Sequence, residues 1–319
     1  MEAYTDFASV YDTFMDNIPY SEWAERIIGL LEKYGVKGQA AQPAEREASE
    51  ERERVHGEAP ASGESVDVHG EVLASEESEC VNGEALASEE SEDVHREVLA
   101  AERNVVVDLG CGTGTLTELL ADAGYDMIGI DNSQEMLRIA MEKKERSGKE
   151  ILYLLQDMRE FELYGVAGAI VSVCDSLNYL LEEEELEATF RLVNNYLYPG
   201  GVFIFDFNTA YKYETVIGDA TIAENREDCS FIWENYYDAE GQLNEYDITV
   251  FVRETADGRF RRFTETHVQR GYTLGQMRGL VEKAGMEFVA AFDGDTCGEV
   301  HEESERIYVV ARECGKGMG

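Results

Sequence analysis

A glycine-rich turn follows a short apolar run at residues 104–109, and this stretch carries the clearest chemical signal in the sequence. The run reads NVVVDL, as in a strand buried on both faces, and glycines follow at positions 110, 112 and 114. Glycine allows tight turns with positive φ and a close approach of backbone to ligand, here at the partly positive N-terminus of a predicted helix. The third glycine comes one residue too early for the G-x-G-x-x-G of a dinucleotide site, and no Walker loop is present.

Acidic residues stand at the ends of four predicted strands: Asp108, Asp131, Asp157 and Asp175. Ligands of open α/β sheets bind beyond the carboxyl ends of the strands, so we expect these acids on one rim. Asp131 could accept both hydroxyls of a ribose, and Asp108 could hold the amino group of a bound amino acid. Taken singly, each could also be a helix cap or an ordinary strand-end acid. A rim with several acids and no clustered basic residues favours a cationic ligand over a pyrophosphate.

The elements that must position this rim alternate between strand and helix, which predicts an α/β fold. We expect a Rossmann-like, doubly wound, mostly parallel seven-stranded sheet. Its strands are predicted near 104–109, 125–130, 151–155, 169–174, 202–207, 288–292 and 306–311. Helices are predicted at 21–34, 113–123, 133–146, 186–197 and 274–283. After the fifth strand, long alternating segments at 231–237, 243–253 and 260–269 predict an inserted antiparallel β-meander, within residues 210–271. We expect this inserted sheet to cover the substrate.

A tandem repeat of 13 residues interrupts this pattern within residues 38–103. Residues 70–82 read GEVLASEESECVN, and residues 83–95 read GEALASEESEDVH. Residues 44–103 contain no aromatic residue, and such acidic sequences bury too little surface to offset the entropy of ordering. We therefore predict a disordered insertion between an N-terminal cap with the first helix (1–37) and the core domain (104–319). An acidic interaction arm is the functional alternative.

The composition excludes several classes of protein. The formal net charge is −40, and with the 19 acidic and 5 basic residues of 44–103 set aside the rest still carries −26. Binding to nucleic acids or anionic membranes needs Lys and Arg, so neither is expected. The longest apolar run, at 166–174, is too short for a membrane span, and there is no secretory signal pattern. Six scattered cysteines without a C-x-x-C pair indicate no metal site and a reducing, cytoplasmic location.

Five motifs in order resemble the class I S-adenosylmethionine-dependent methyltransferases. They are VVVDLGCGTGTLTELL (105–120), IGIDNSQEML (128–137), QDMREF (156–161), VCDSLNYL (173–180) and LYPGGVFIFDFN (197–208). YTDFASVYD (4–12) and RRFTETHVQRGYT (261–273) narrow the resemblance to a bacterial branch acting on small molecules, which includes aminosugar N-methyltransferases.

The resemblance implies S-adenosylmethionine as cofactor and a role for each matching residue. The glycines would let its methionine part approach the backbone, and Asp131 would bind its ribose. Asp157 and Met158 would hold the adenine, Cys174 and Asp175 would lie beside the reacting methyl, and Tyr11 would close over the cofactor. The complete implied set is Tyr11, Asp108, Gly110, Cys111, Gly112, Gly114, Asp131, Asn132, Met136, Asp157, Met158, Cys174 and Asp175.

Residues of the acceptor site are less determined by the sequence. Trp233, Tyr237 and Asn178 are candidates for substrate binding, although aromatic residues on an inserted sheet are as often plain packing. His267, Arg306 and Tyr11 are candidates for catalysis. A hydrogen-bonded structural histidine and an ion-paired arginine are the alternatives for the first two.

The expected reaction is in-line transfer of a methyl group to the nitrogen or oxygen of a small molecule. The alternatives are a sensor or scaffold that binds S-adenosylmethionine without catalysis, and a methyltransferase acting on RNA or protein. Cysteine at position 111 is interpreted as a small turn residue and not a nucleophile, because no positive neighbours are evident. The sequence leaves open whether the protein is a monomer or a homodimer.

Overall fold

The computed structural model describes residues 7–14, 19–38, 103–254 and 258–315. All of them belong to one unit of the chain, which comprises Met1–Ala40 and Leu99–Gly319, while Ala41–Val98 form the other unit. Apart from Gly38 and Arg103, the predicted insertion at 38–103 lies outside the described residues. Its boundaries and its disorder therefore stay predictions.

The described residues form two β-sheets. The strands are β1 (Val105–Leu109), β2 (Asp126–Asp131), β3 (Leu152–Leu155), β4 (Ala167–Ser172), β5 (Leu197–Asn208), β6 (Thr221–Asn225), β7 (Cys229–Asp238), β8 (Leu243–Arg253), β9 (Phe260–Arg270), β10 (Met286–Asp293) and β11 (Arg306–Glu313). Seven of them form one sheet in the order β10-β11-β5-β4-β1-β2-β3. Only β11 runs antiparallel to its neighbours in this sheet, so the predicted mostly parallel, doubly wound α/β sheet is confirmed.

Helices cover both faces of the large sheet. The α-helices of the described residues are α1 (Ala8–Phe14), α2 (Tyr20–Lys33), α3 (Thr115–Asp122), α4 (Gln134–Ser147), α5 (Glu183–Tyr196) and α6 (Leu274–Lys283). All of them except α1 pack on the large sheet. Two hydrophobic cores result, and β1 contributes to both because its side chains alternate. Val107 packs into the core with α5 and α6, while Val106 packs into the core with α2 and α3. This double burial is why the first strand reads as an unbroken apolar run.

The second sheet is antiparallel, with the order β6-β7-β8-β9, which confirms the inserted meander. Its edge strand β6 was not predicted, because the sequence TIAEN has only two apolar residues and is largely exposed. A third hydrophobic cluster joins this sheet to α1 and includes Phe7, Phe14 and Val250.

The sequence analysis also did not predict two short elements, a 3-10 helix at Ser176–Tyr179 and a π-helical segment at Lys212–Ile217. Within the described ranges, no helix has both the length and the apolar composition to cross a membrane.

Candidate active site

A cavity of about 780 Å³ lies at the carboxyl ends of β1 to β4. The loops after these four strands line it, together with Tyr11 of α1 and Tyr20 of α2. Because the strand order is β4-β1-β2-β3, the loops after β2 and β3 lie on one side of the glycine turn. The loop after β4 lies on the other side. The predicted rim is thus a concave site, with one end at the loops after β2 and β3 and the other end at the loop after β4.

The three glycines of the turn all have positive φ, +83° at Gly110, +54° at Gly112 and +73° at Gly114. Position 110 requires glycine, because a Cβ there would lie 2.6 Å from the Ser176 Oγ. Gly112 faces open space and lines the cavity. Gly114 is not among the residues that line the cavity. A Cβ at this position would point away from it, toward the Tyr153 hydroxyl. Its absent side chain therefore makes room for Tyr153 of β3 and for Ala140. The predicted approach of the cofactor at Gly114 stays a prediction.

Asp131 is held rigidly at the end of β2. Its Oδ2 accepts the Gly112 N–H at 2.8 Å, and its Oδ1 accepts the Ser133 N–H at 2.8 Å. Burial raises the pKa of Asp131, although these N–H donors oppose the rise. A carboxylate oxygen has more than one acceptor position. Both oxygens can therefore accept further hydrogen bonds from the cavity, as a pair of neighbouring hydroxyls requires.

Asp108 lines the cavity but is only 2% exposed. The Thr117 hydroxyl donates to its Oδ2 at 2.6 Å. Burial raises the pKa of Asp108 to about 7, and the negative charge of Asp131 adds to the rise. A buried carboxylate of this kind is costly alone and fits a cationic ligand such as an ammonium group.

Asp157 lines the cavity beyond β3, where it is paired with a residue that the sequence analysis did not single out. Arg159 Nη2 donates to its Oδ2 at 2.6 Å, and Arg159 Nε donates to its Oδ1 at 2.9 Å. This side chain holds the pKa of Asp157 below its usual range. Arg159 stands two positions later in the same motif, so the i, i+2 spacing was the available signal.

Two thiols line the cavity, Cys111 after β1 and Cys174 after β4. Burial raises the pKa of both thiols well above the usual value. A thiolate is therefore disfavoured at either position, in agreement with the interpretation of Cys111 as a turn residue. The other predicted residues that line the cavity are Tyr11, Asn132, Met136 and Met158.

Asp175 and Arg306 are not among the residues that line the cavity, and together with the fully buried Asp206 they form a partly buried ion network. Arg306 Nη2 lies 2.7 Å from Asp175 Oδ1, and its Nη1 lies 2.6 Å from Asp206 Oδ2. Gln269 Nε2 also donates to Asp175 Oδ2 at 2.8 Å. The fully buried carboxylate of Asp206 needs a cation, and Arg306 supplies it while also pairing with Asp175. The predicted place of Asp175 beside the methyl stays a prediction. Arg306 is thus ion-paired, which agrees with the alternative given for it, and its candidate role in catalysis stays a prediction.

Asn178, Trp233 and Tyr237 do not line the cavity either. Asn178 ties the 3-10 helix to the two sheets, because its Nδ2 donates to the carbonyls of Asn208 at 2.9 Å and Arg270 at 2.7 Å. Trp233 packs in the cluster with α1, and its ring centroid lies 5.1 Å from that of Tyr246. Tyr237 shares the face of Trp233 on β7 but lies at the far end of the strand. The alternating pattern correctly predicts that Trp233 and Tyr237 share one face of β7. On that face Trp233 packs against α1 and Tyr246 and does not line the cavity.

His267 is buried on the inner face of β9, also outside the lining. Its Nδ1 lies 3.1 Å from the hydroxyl of Tyr179, and its ring stacks on Tyr246 at a centroid distance of 4.9 Å. Tyr179 does line the cavity, as do Tyr20 and Ser176, which the sequence analysis also missed. They lie in α2 and in the short 3-10 helix. The only available signal was the position of Ser176 and Tyr179 within the fourth motif.

Comparisons with known proteins agree with this geometry. A family model described as a methyltransferase domain matches residues 106–201. A protein of Geobacillus sp. strain WCH70, named as a methyltransferase, is 36% identical over 210 residues, which cover 65% of this chain and 83% of that protein.

Solved structures share the fold. An S-adenosylmethionine-dependent methyltransferase from Clostridium acetobutylicum matches with a TM-score of 0.71 and 23% identity, covering 98% of this chain and 100% of that one. The sugar N-methyltransferase KedS8 from Streptoalloteichus matches with a TM-score of 0.55 and 18% identity, covering 81% of this chain and 100% of that one. With its glycine turn, the carboxylate of Asp131 at the end of β2 and this relationship, the chain belongs to the S-adenosylmethionine-dependent methyltransferases.

Proposed function

We propose that the protein transfers the methyl group of S-adenosylmethionine to a small-molecule acceptor, and that the accepting atom is an amine nitrogen. The observation that carries the proposal is the cavity of about 780 Å³. It falls within the range of roughly 300–1,000 Å³ that small-ligand pockets occupy. It reaches from the acids beyond β2 and β3 to the loop after β4.

The residues present fit the cofactor part by part. Asp131 has two oxygens available for the ribose hydroxyls, Asp108 is a buried acid suited to the amino group, and Gly112 leaves the backbone open to the methionine part. Asp157 and Met158 would hold the adenine on the β3 side. When bound, the cofactor supplies an electrophilic methyl on a sulfonium, and the protein positions the acceptor and excludes water.

Charge supports a cationic acceptor such as a protonated amine. Among the described residues that line the cavity, Asp108, Asp131, Glu135 and Asp157 are acidic and only Arg159 is basic. The chain outside residues 44–103 carries −26, which disfavours RNA as an acceptor. The name of KedS8, a sugar N-methyltransferase with the same fold, supports the same class of acceptor.

The test is production of S-adenosylhomocysteine in the presence of S-adenosylmethionine and a panel of small amines, aminosugars and alcohols. We expect turnover with at least one amine, and none with the Asp131→Ala variant at low cofactor concentration. Turnover with RNA or protein alone would contradict the small-molecule proposal. Tight binding of S-adenosylhomocysteine without turnover on any acceptor would support a sensor.

A further inference from the structure

Asp108 is an acid of the cavity that is held by a neutral partner. It lines the cavity, although only 2% of it is exposed. Within the described ranges, the Thr117 hydroxyl is the only hydrogen-bond donor to its carboxylate, at 2.6 Å from Oδ2. A buried carboxylate that no cation neutralises is costly to ionise. The site is therefore completed when a cation reaches it from the cavity.

Thr117 reaches Asp108 from the first turns of α3. It is fully buried and is not among the residues that line the cavity. A threonine hydroxyl has one proton to donate, and here it is directed to Oδ2 of Asp108. The contact fixes this oxygen and stabilises the ionised form of the carboxyl, because a donor favours the charged state. Oδ1, which has no donor within the described residues, stays available for a ligand.

We propose that Thr117 is a positioning residue for the ammonium group of the cofactor's methionine part: it holds Asp108 so that the carboxylate binds this ammonium, and binding releases the proton that Asp108 carries without ligand. The inference rests on the proposed function, because it takes S-adenosylmethionine as the ligand of the cavity. It assigns a role to a buried hydroxyl that does not itself line the cavity.

The proton balance of this binding step is simple. The O–H bond of the neutral Asp108 carboxyl breaks, and its proton passes to the solvent. The carboxylate keeps the electron pair and accepts an N–H of the ligand ammonium, which keeps all of its own protons. Thr117 continues to donate to Oδ2 throughout.

The groups around Asp108 favour the neutral carboxyl in the protein without ligand. Among the described residues, its titratable neighbours are Asp131 at the end of β2, Cys111 in the glycine turn, Tyr153 on β3 and Cys174 after β4. None of them is basic, so none supplies a positive charge. Burial raises the pKa of Asp108 to about 7, the charge of Asp131 adds to the rise, and the Thr117 hydroxyl opposes it.

The first test compares two ligands by calorimetry on the full-length protein at pH 7. S-adenosylhomocysteine carries the ammonium group, whereas 5′-methylthioadenosine has the adenosine and the sulfur but no amino-acid part. We expect Thr117→Val to weaken S-adenosylhomocysteine about tenfold, because the pKa of Asp108 rises further and the lost donor no longer holds its carboxylate. The affinity for 5′-methylthioadenosine should change less than about twofold.

Two further variants control for structural damage. Thr117→Ser keeps the hydroxyl and should bind S-adenosylhomocysteine within about threefold of the wild type. Thr189→Val is the matched control, because Thr189 is also fully buried in a helix and its hydroxyl donates to the Glu185 carbonyl at 2.9 Å. It should change neither affinity.

The outcomes separate the inference from the proposed function. Equal changes for the two ligands in a folded Thr117→Val variant, or no change for either, would overturn the role of Thr117 while leaving the cofactor site intact. Failure of the wild-type protein to bind S-adenosylhomocysteine would overturn both.

The second test counts protons and does not need the Thr117→Val variant to fold. Calorimetry at pH 7 in two buffers with different ionisation enthalpies gives the number of protons released per ligand bound. With the pKa of Asp108 at about 7, we expect the wild type to release about half a proton more than Asp108→Asn on binding S-adenosylhomocysteine. With 5′-methylthioadenosine the two proteins should not differ. Equal proton release by both proteins with S-adenosylhomocysteine would overturn the inference.

Discussion

The rim of the seven-stranded sheet and the inner face of the four-stranded sheet are both rich in residues that suggested function. At the rim, desolvation raises the pKa of Asp108 and Asp131, so each ionised carboxylate lowers the stability of the protein without ligand. On the inner face, Trp233 and Val250 pack with α1 and stabilise the fold. Neutralising an acid at the rim should therefore raise the free energy of unfolding, whereas truncating a packed side chain of the inner face should lower it.

Asp108→Asn should show this contrast most strongly. The folded pKa of about 7 lies above the ordinary value of 3.8, so between these values the folded state binds more protons and stability falls as pH rises. Asparagine keeps an acceptor for Thr117 without the charge. We expect the unfolding free energy at pH 8 to rise by about 2–4 kcal/mol, with little gain at pH 4.

Urea unfolding at both pH values measures this gain, and calorimetry should show weaker binding of S-adenosylhomocysteine by the same variant. Asp126→Asn, at the exposed start of β2, is the control. A variant that is equally destabilised at pH 4 and pH 8 would contradict the assigned cost of ionisation.

Trp233→Ala should give the opposite result. The side chain packs against α1 and Tyr246, so its removal leaves a gap that we expect to lower the unfolding free energy by about 2–4 kcal/mol. Ile232→Ala, on the other face of β7, should cost much less, since Ile232 is 37% exposed. The affinity for S-adenosylhomocysteine should change less than about threefold. A stable Trp233→Ala protein with normal cofactor affinity and lost turnover would contradict the packing role and support the prediction that Trp233 binds the substrate.

The Asp131→Ala variant tests whether Asp131 binds the ribose of the cofactor. The variant removes the acceptor proposed for two ribose hydroxyls and leaves the N–H groups of Gly112 and Ser133 without their partner. Hydrogen bonds to charged groups contribute about 1.5–3 kcal/mol, so affinity should fall roughly 10- to 100-fold. An unchanged dissociation constant in a folded variant would refute the ribose site, and Asp126→Ala supplies the matched control.

Deleting residues 42–101 and joining the ends with a short Gly-Ser linker should have the smallest effect. The aromatic-free repeat offers little apolar surface to a core, and each doubling of loop length changes the closure free energy by only about 0.6 kcal/mol. We expect cofactor affinity and melting temperature close to those of the full chain. Aggregation or a melting temperature many degrees lower would show that the repeat packs on the body.

The same contrast explains how much of the molecule the sequence predicts. The sequence predicts that Gly110, Gly112 and Asp131 lie at the rim, and all three line the cavity. This was possible because a positive φ or a strand end constrains the backbone there, and such constraints leave a motif in the chain. The partners of Asp175, Arg306 and His267 were not found, because they come from β5, β9 and a 3-10 helix distant in sequence. Alternation placed Trp233 on the correct face of β7, but no local pattern says that α1 covers that face.

Hydrogen exchange of the full chain with saturating S-adenosylhomocysteine tests the central claim most directly, because it reads both regions in one experiment. We predict slower exchange of the backbone amides at 110–116, 131–136 and 156–159, which belong to the loops that line the cavity. Amides of β7 and β8, at 229–238 and 243–253, should exchange as in the free protein. Protection confined to β7 and β8, or no protection of the glycine turn at a ligand concentration that saturates binding, would contradict the account.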